Sequence, residues 1–223
     1  MSETEDILFN ELIPSETNLR EVYEAKNLAR VFELGPIHDV KTLLNAHGVL
    51  LSGISDALAG RIANHVAPLS EKVPELMDEL FLEFSTEKSN HIVEKIAKFH
   101  LEFERIHPFG DGNGRIGRAL MYSQLMQRAY PPIILRFSDK KKYFAAFKDY
   151  NLRRKTAPME KLILLALMES LHKRLAHYRG EKIIALAEWV RIKSASPSAT
   201  YNAAKAQRLP AFRIRDTWMI AKT

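Results

Sequence analysis

The chain has 223 residues, 46% hydrophobic and 27% charged, the proportions of a folded globular protein rather than a disordered one. It has no cysteine, which excludes a disulfide framework, a thiolate metal site and a cysteine nucleophile. Its net charge of +6 is unevenly spread: residues 1–138 hold 14 Lys and Arg against 20 Asp and Glu, and residues 139–223 hold 19 against 7. A basic rear half fits either a polyanionic partner or a solvated surface.

Most of the chain reads as helix. Ser15 is placed to cap a helix running to about Glu33, where Gly35-Pro36 stops it. Asp39 starts the next, with Val40, Leu43, Leu44, His47, Leu50 and Leu51 on one stripe at helical spacing. Residues 60–70 read as loop or short extended pieces. Ser70-Glu71 opens a third helix, with Val73, Leu76, Met77, Leu80, Phe81 and Phe84 facing inward. Ile92, Val93, Ile96, Phe99 and Phe103 mark a fourth that runs almost to His107. After a loop at 129–137, Ser138 caps a segment holding Tyr143, Phe144 and Phe147. Met159 to Leu175 is strongly apolar and predicts the centre of a bundle. No apolar run approaches the ~20 residues that cross a bilayer. The acidic N-terminus lacks the layout of a secretory signal. The expectation is a cytoplasmic protein with no membrane partner.

A boundary at His177 to Glu181 divides the chain into 1–178 and 182–223. Beyond it the pattern predicts a helix over about Lys182 to Lys193 and a turn at Ser196-Pro197-Ser198. A second helix ends near Arg208, and a hairpin carries Phe212, Ile214, Trp218 and Ile220 around Asp216-Thr217. That is the outline of a small winged helix-turn-helix. Its eight lysines and arginines fit phosphate contact. Tyr201, Asn202, Lys205 and Arg208 are the candidates for its groove face, and a protein-binding module is the alternative.

Four of the nine glycines fall within eight residues, in His107-Pro-Phe-Gly110-Asp-Gly112-Asn-Gly114-Arg-Ile-Gly117-Arg118. A helix leads in, the glycines allow a tight turn, and a second helix leaves from about Arg115. Amides in such a turn form a concave nest, and the helix adds its positive dipole end. Arg115 and Arg118, three apart, can reach the same anion, which fits a di- or triphosphate. Asp111 inside that nest would repel phosphate unless a cation bridged them, and Mg²⁺ takes such mixed ligands. His107 stands at the mouth of the turn as a candidate base. Phe109 is expected to anchor the loop in the core. Together these groups describe transfer of a phosphate-containing group to a hydroxyl.

Residues 107–118 resemble the complete signature of Fic domains: His, any, Phe, any, Asp or Glu, Gly, Asn, Gly, Arg, two any, Arg. The resemblance extends over roughly residues 18–178, and residues 182–223 separately resemble excisionase-like or MerR-like modules. It implies a mainly α fold: a Fic-type helical bundle with a small β-hairpin flap near residues 60–70, followed by the winged helix-turn-helix. It implies a protein adenylyltransferase, toxin-like or regulatory, that moves AMP from ATP to a Ser, Thr or Tyr hydroxyl of a target protein, itself included. His107 would be the base, and Asp111 would hold Mg²⁺ on the α- and β-phosphates. Amides around Gly112, Asn113 and Gly114 would form the anion hole, with the Asn113 side chain helping to fix the α-phosphate. Arg115 would meet the β- and γ-phosphates, Arg118 the γ-phosphate, and Phe109 and Gly110 complete the nucleotide-binding set.

Family members often carry an inhibitory helix whose glutamate pairs with the second motif arginine. Thr17 to Glu21 matches that pattern except that Val22 stands where Gly or Asn is expected. The chain is therefore expected to be unrestrained by itself, or controlled by a separate antitoxin-like partner. Two other classes stay open: a Doc-like protein kinase, in which Lys is usual at the place of Gly114, and a DNA-binding regulator with a Fic-fold sensor domain.

Overall fold

The computed structural model describes residues 19–62, 72–88 and 91–222. Ser15, Thr17, Ser70 and most of the expected flap lie outside the described residues. Helix α1 (Leu19–Glu33) leads through Gly35-Pro36 to α2 (Val40–Leu51). Asp39 caps α2 reciprocally: its carboxylate accepts the Thr42 amide at 2.7 Å, and Thr42 Oγ1 accepts the Asp39 amide at 3.1 Å. Then come α3 (Val73–Thr86), α4 (Ile92–Ile106) and α5 (Asn113–Met126). A short 3₁₀ turn (Phe137–Asp139) precedes α6 (Lys140–Arg153) and the 22-residue α7 (Ala157–Tyr178).

The α4–α5 pair is the centre, because α4 is apolar on two faces. Phe99, Phe103 and Ile106 join α1, α2, α3 and α5 in one core, which also takes in Phe109. Val93, Ile96, Ala97 and Leu101 join α5, α6 and α7 in a second. The expectation that the apolar stretch from Met159 forms the bundle centre is corrected. Helix α7 buries Met159, Leu162, Ile163 and Leu167, while Leu164, Leu171 and Leu175 stay exposed.

The predicted helix over Lys182 to Lys193 is also corrected. Ile183–Ala185 forms strand β1, and helix α8 (Leu186–Ile192) starts only after it. The β-branched pair Ile183-Ile184 pairs across to β3, with Ile184 opposite Ile220. Helix α9 (Pro197–Lys205) follows, then β2 (Ala211–Ile214) and β3 (Thr217–Ala221). The sheet is antiparallel in the order β1-β3-β2, so the predicted two-strand hairpin has a third strand. Its turn is Arg215-Asp216, both at positive φ (47° and 61°), the backbone of a tight two-residue hairpin. Ile184, Leu186, Ala204, Ala211 and Ile220 form this unit's own core, and Tyr201 packs against it. Phe212 and Ala221 pack against Ala176 of α7. Among the described helices none is long and apolar enough to cross a membrane.

Candidate active site

The site lies where α4 ends and α5 begins. His107 closes α4 in the left-handed region (φ 53°, ψ 58°), donating its amide to the Phe103 carbonyl at 2.9 Å. Pro108 disfavours continued α-helix at His107, so the chain turns there. Phe109 is fully buried and lies against the His47 ring, centroids 3.6 Å apart and planes 7° apart. It anchors the loop, and only its backbone faces the turn. The Ile62 backbone pairs with that of Phe109, which is the described part of the expected flap.

Helix α5 starts at Asn113, two residues earlier than predicted, because Gly112 adopts φ 83°. A side chain at Gly112 would also meet His47 Nε2 at 3.4 Å and the Leu50 and Leu51 methyls at 3.5 Å. The Asn113 side chain donates to the Phe109 carbonyl at 2.6 Å and accepts the Phe109 amide at 3.0 Å. It is 4% exposed, so it closes the turn rather than reaching outward. Arg115 and Ile116 make the first intrahelical bonds, both to the Gly112 carbonyl. The first-turn amides of Asn113 and Gly114 therefore stand outside the helix's own ladder.

Asp111 is held on both oxygens. Oδ1 accepts the Gly112 amide at 2.6 Å and Arg115 Nη2 at 3.1 Å, and Oδ2 accepts Arg20 Nη2 at 3.2 Å. Arg115 Nη1 lies 2.7 Å from Glu24 Oε1, an ion pair poorly aligned as a hydrogen bond. Arg118 folds back along α5: its Nη1 lies 3.5 Å from where a Gly114 side chain would begin. The glycine turn thus gathers two guanidinium groups, two first-turn amides and one carboxylate below His107. A cationic first turn whose leading amides stand outside the helix ladder fits a bound anion. Among the described residues no group of three metal-binding side chains exists, so a cation here would take Asp111 and complete its shell from substrate oxygens and water.

Sequence reasoning missed five residues around this turn. Arg20 and Glu24, one turn apart on α1, reach Asp111 and Arg115 across the chain. Their polar character gave no signal of that approach. His47 appeared only as a member of an apolar stripe. The Gly60 amide donates to its Nδ1 at 3.0 Å, so Nε2 carries the hydrogen and donates to the Asp111 carbonyl at 2.9 Å. Burial pushes its pKa down, outweighing the pull of that carbonyl, and the ring works as a neutral strut. Glu104 and His100, four apart on α4, face Gly117, and only their i, i+4 spacing before the motif hinted at a shared face.

The fold is similar to that of solved Fic proteins, and residues 37–125 match the model of the Fic/DOC family. Among curated proteins, the protein adenylyltransferase Fic of Nematostella vectensis is 35% identical over 92 residues, 40% of this chain and 22% of that protein. The protein adenylyltransferase Fic of Drosophila ananassae is 32% identical over 121 residues, 50% of this chain and 24% of that protein. The chain thus spans less than a quarter of the length of these relatives. Among solved structures, Fic-1 from C. elegans superposes with a TM-score of 0.69 at 24% identity, covering 79% of this chain and 58% of that one. A Fic family protein from Desulfovibrio desulfuricans G20 superposes with a TM-score of 0.68 at 20% identity, covering 99% and 80%. The Bartonella tribocorum effector BepC, solved with bound AMPPNP, is similar at TM-score 0.53 and 18% identity, over 64% of this chain.

Proposed function

We propose that the chain is a protein adenylyltransferase that moves AMP from ATP to a hydroxyl side chain of a target protein, its own surface included. The observation that carries this reading is the turn itself: the first-turn amides of Asn113 and Gly114 stand outside the helix ladder beside Arg115 and Arg118, a few residues after His107. In the proposed reaction His107 accepts the proton of the target hydroxyl. Its oxygen attacks the α-phosphorus, the bond to the bridging oxygen of pyrophosphate breaks, and pyrophosphate leaves. The amides of Asn113 and Gly114 take the charge developing on the α-phosphate. Arg115 and Arg118 hold the outer phosphates, and Asn113 keeps the turn closed around them. Asp111 is the residue that would hold Mg²⁺, which supplies charge neutralisation on the phosphates when bound. The Gly60–Ile62 segment, paired to Phe109, is suited to guide an extended target segment past His107.

ATP labelled at the α- or γ-phosphate tests this reading against the kinase alternative. Label from the α-position is expected on protein and label from the γ-position is not. The reverse result establishes a kinase, and Gly114 in place of lysine speaks against that outcome.

In this reading Glu24 of α1 restrains the site, beside the expected alternatives of an unrestrained chain or a separate antitoxin-like partner. The incomplete match at Thr17 to Glu21 was not expected to inhibit; Thr17 and the Glu21 side chain lie outside the described residues, and Glu24 lies 2.7 Å from Arg115. Glu24 must yield this arginine to an incoming phosphate. Glu24→Ala is expected to lower the KM for ATP about two- to fivefold, the scale of a partly exposed ion pair. An unchanged KM in steady-state automodification would reject that role.

Residues 182–223 form the second functional part, a winged helix-turn-helix-like module for duplex DNA. Asn202, Lys205 and Arg208 are exposed along and just beyond α9, while Tyr201 belongs to the core. Replacing Lys205 and Arg208 together by alanine in the full chain is expected to flatten the slope of log affinity against log salt by about 2. Fluorescence anisotropy with a duplex of arbitrary sequence reads this, and equal slopes for both proteins would remove the idea.

A further inference from the structure

Helices α4 and α5 pack tightly at Gly117. A side chain begun there would stand 2.7 Å from Glu104 Oε1, 3.1 Å from His100 Cε1 and 3.3 Å from His100 Nδ1. Only glycine lets this α4 face lie on α5, and it brings a carboxyl group against the helix that carries Arg118. Glu104 Oε1 is buried and has no hydrogen-bond partner. A carboxylate in that position is costly unless a positive charge stands near it. The nearby cation is Arg118, whose charge favours the ionised carboxyl while burial opposes it more strongly, leaving the group near a pKa of about 7.

The other titratable groups facing Glu104 are His100 on its own helix and Tyr143 on α6. His100 is fully buried, and desolvation with the nearby Arg118 charge drops its pKa to about 3, so it is neutral. Its Nδ1 lies close to the Gly117 backbone without a well-formed hydrogen bond, and its Nε2 pairs with Tyr143 Oη at 2.6 Å. Burial, with Glu104 adding to it, pushes the Tyr143 phenol far up, so it too is neutral. The cluster therefore holds one fixed cation, Arg118, and one acid able to change its charge, Glu104.

We propose that Glu104 is a positioning residue that shares Arg118 with the incoming polyphosphate and takes up a proton as that anion binds. In the free protein the Arg118 charge favours the Glu104 carboxylate without hydrogen-bonding its buried Oε1. A phosphate arriving over Gly114, where the guanidinium lies, claims the same charge. Two anions on one arginine cost more than one, and the buried carboxylate relieves this by protonating, because water is closed to it. Nucleotide binding is then linked to proton uptake, weakens as pH rises through neutrality, and releases the proton when the outer phosphates leave. The inference rests on the nucleotide site of the preceding section, yet it concerns binding alone and is independent of which phosphate is transferred.

The test is calorimetric titration of the full chain with AMPPNP and Mg²⁺ at pH 6, 7 and 8, in pairs of buffers of different ionisation enthalpy. Wild type is expected to take up about 0.4 proton more than Glu104→Gln at pH 7 and again at pH 8, and only about 0.1 at pH 6. The ratio of wild-type to variant Kd should rise from near 1 at pH 6 to about 5 at pH 8, for a rise of one unit in the Glu104 pKa. Titration of the phosphates cancels in this ratio, because both proteins receive the same ligand. Glu104→Gln is nearly isosteric and removes a buried charge, so it is expected to fold at least as stably above pH 7. The buffer dependence of wild type alone supplies a first readout. Tight binding with a ratio flat from pH 6 to 8, or with equal proton counts, overturns the role of Glu104 and leaves the nucleotide site standing. No binding to either protein overturns the nucleotide site and this inference with it.

Discussion

Replacing His107 by alanine is expected to lower AMP transfer about 10²–10⁴-fold, the usual loss for a general base, while changing ATP affinity less than about twofold. The ring stands at the mouth of the glycine turn, and the groups assigned to the phosphates lie beyond it on Asp111, Arg115, Arg118 and the first turn of α5. The expected loss therefore falls on kcat. His107 also has a left-handed backbone, φ 53°, which alanine adopts less readily. Alanine thus removes the base and adds backbone strain of about 1 kcal/mol. Asparagine tolerates the left-handed region and cannot serve as the base, so His107→Asn separates the two effects. Both variants should be equally inactive, with asparagine the more stable. Initial rates with α-labelled ATP, beside calorimetric Kd values, decide the point, and a wild-type rate in either variant means that another group takes the proton.

The local signals in the sequence were strong where one residue type has one structural use. Asp39, Gly35-Pro36 and Ser196-Pro197 each marked a helix end that the fold contains, since capping and stopping act within four residues. The glycine turn was legible for the same reason. Its own amides, Gly112 and Asn113 build it, and His47 only braces it from below. The misreadings were non-local. Strand β1 is three residues long, and its periodicity is indistinguishable from the first turn of a helix until β3 pairs with it. Helix α7 looked central because it is apolar nearly all round, but the contacts of α4 with both cores decided which helix is enclosed. Glu24 and Glu104 escaped notice because a lone glutamate on a helix carries no signal of the arginine it will meet. Both encounters are set by the packing of α1 and α4 onto α5.

The junction of the two parts is the other place where one side chain should matter most. Glu169 of α7 is 13% exposed and receives two arginines. Arg213 of β2 grips it with Nε at 3.0 Å and Nη2 at 2.7 Å, and the Arg213 amide adds a third bond at 3.0 Å. Arg136, from the segment before α6, approaches the same carboxylate at 3.5 Å and reaches Asp216 in the hairpin turn at 3.1 Å. The Arg213 guanidinium also stacks over Trp218, 4.9 Å from the ring. One carboxylate thus ties α7, the loop before α6 and the β2–β3 hairpin together. Removing it leaves Arg213 without its carboxylate and Arg136 with only the exposed Asp216, the costly half of a broken buried pair. Glu169→Ala is expected to destabilise the protein by about 3 kcal/mol, or lower Tm by roughly 6–12 °C for a chain of this size. Glu169→Gln keeps hydrogen-bond acceptors for Arg213 but loses the charge, and should fall between the two. Amide exchange should accelerate first over 209–221, because the hairpin loses its main polar tie while Phe212 and Ala221 keep their apolar seat on Ala176. Thermal unfolding of the three proteins, read beside exchange rates, tests this. A Glu169→Ala protein melting within about a degree of wild type would show that the apolar seam alone carries the junction.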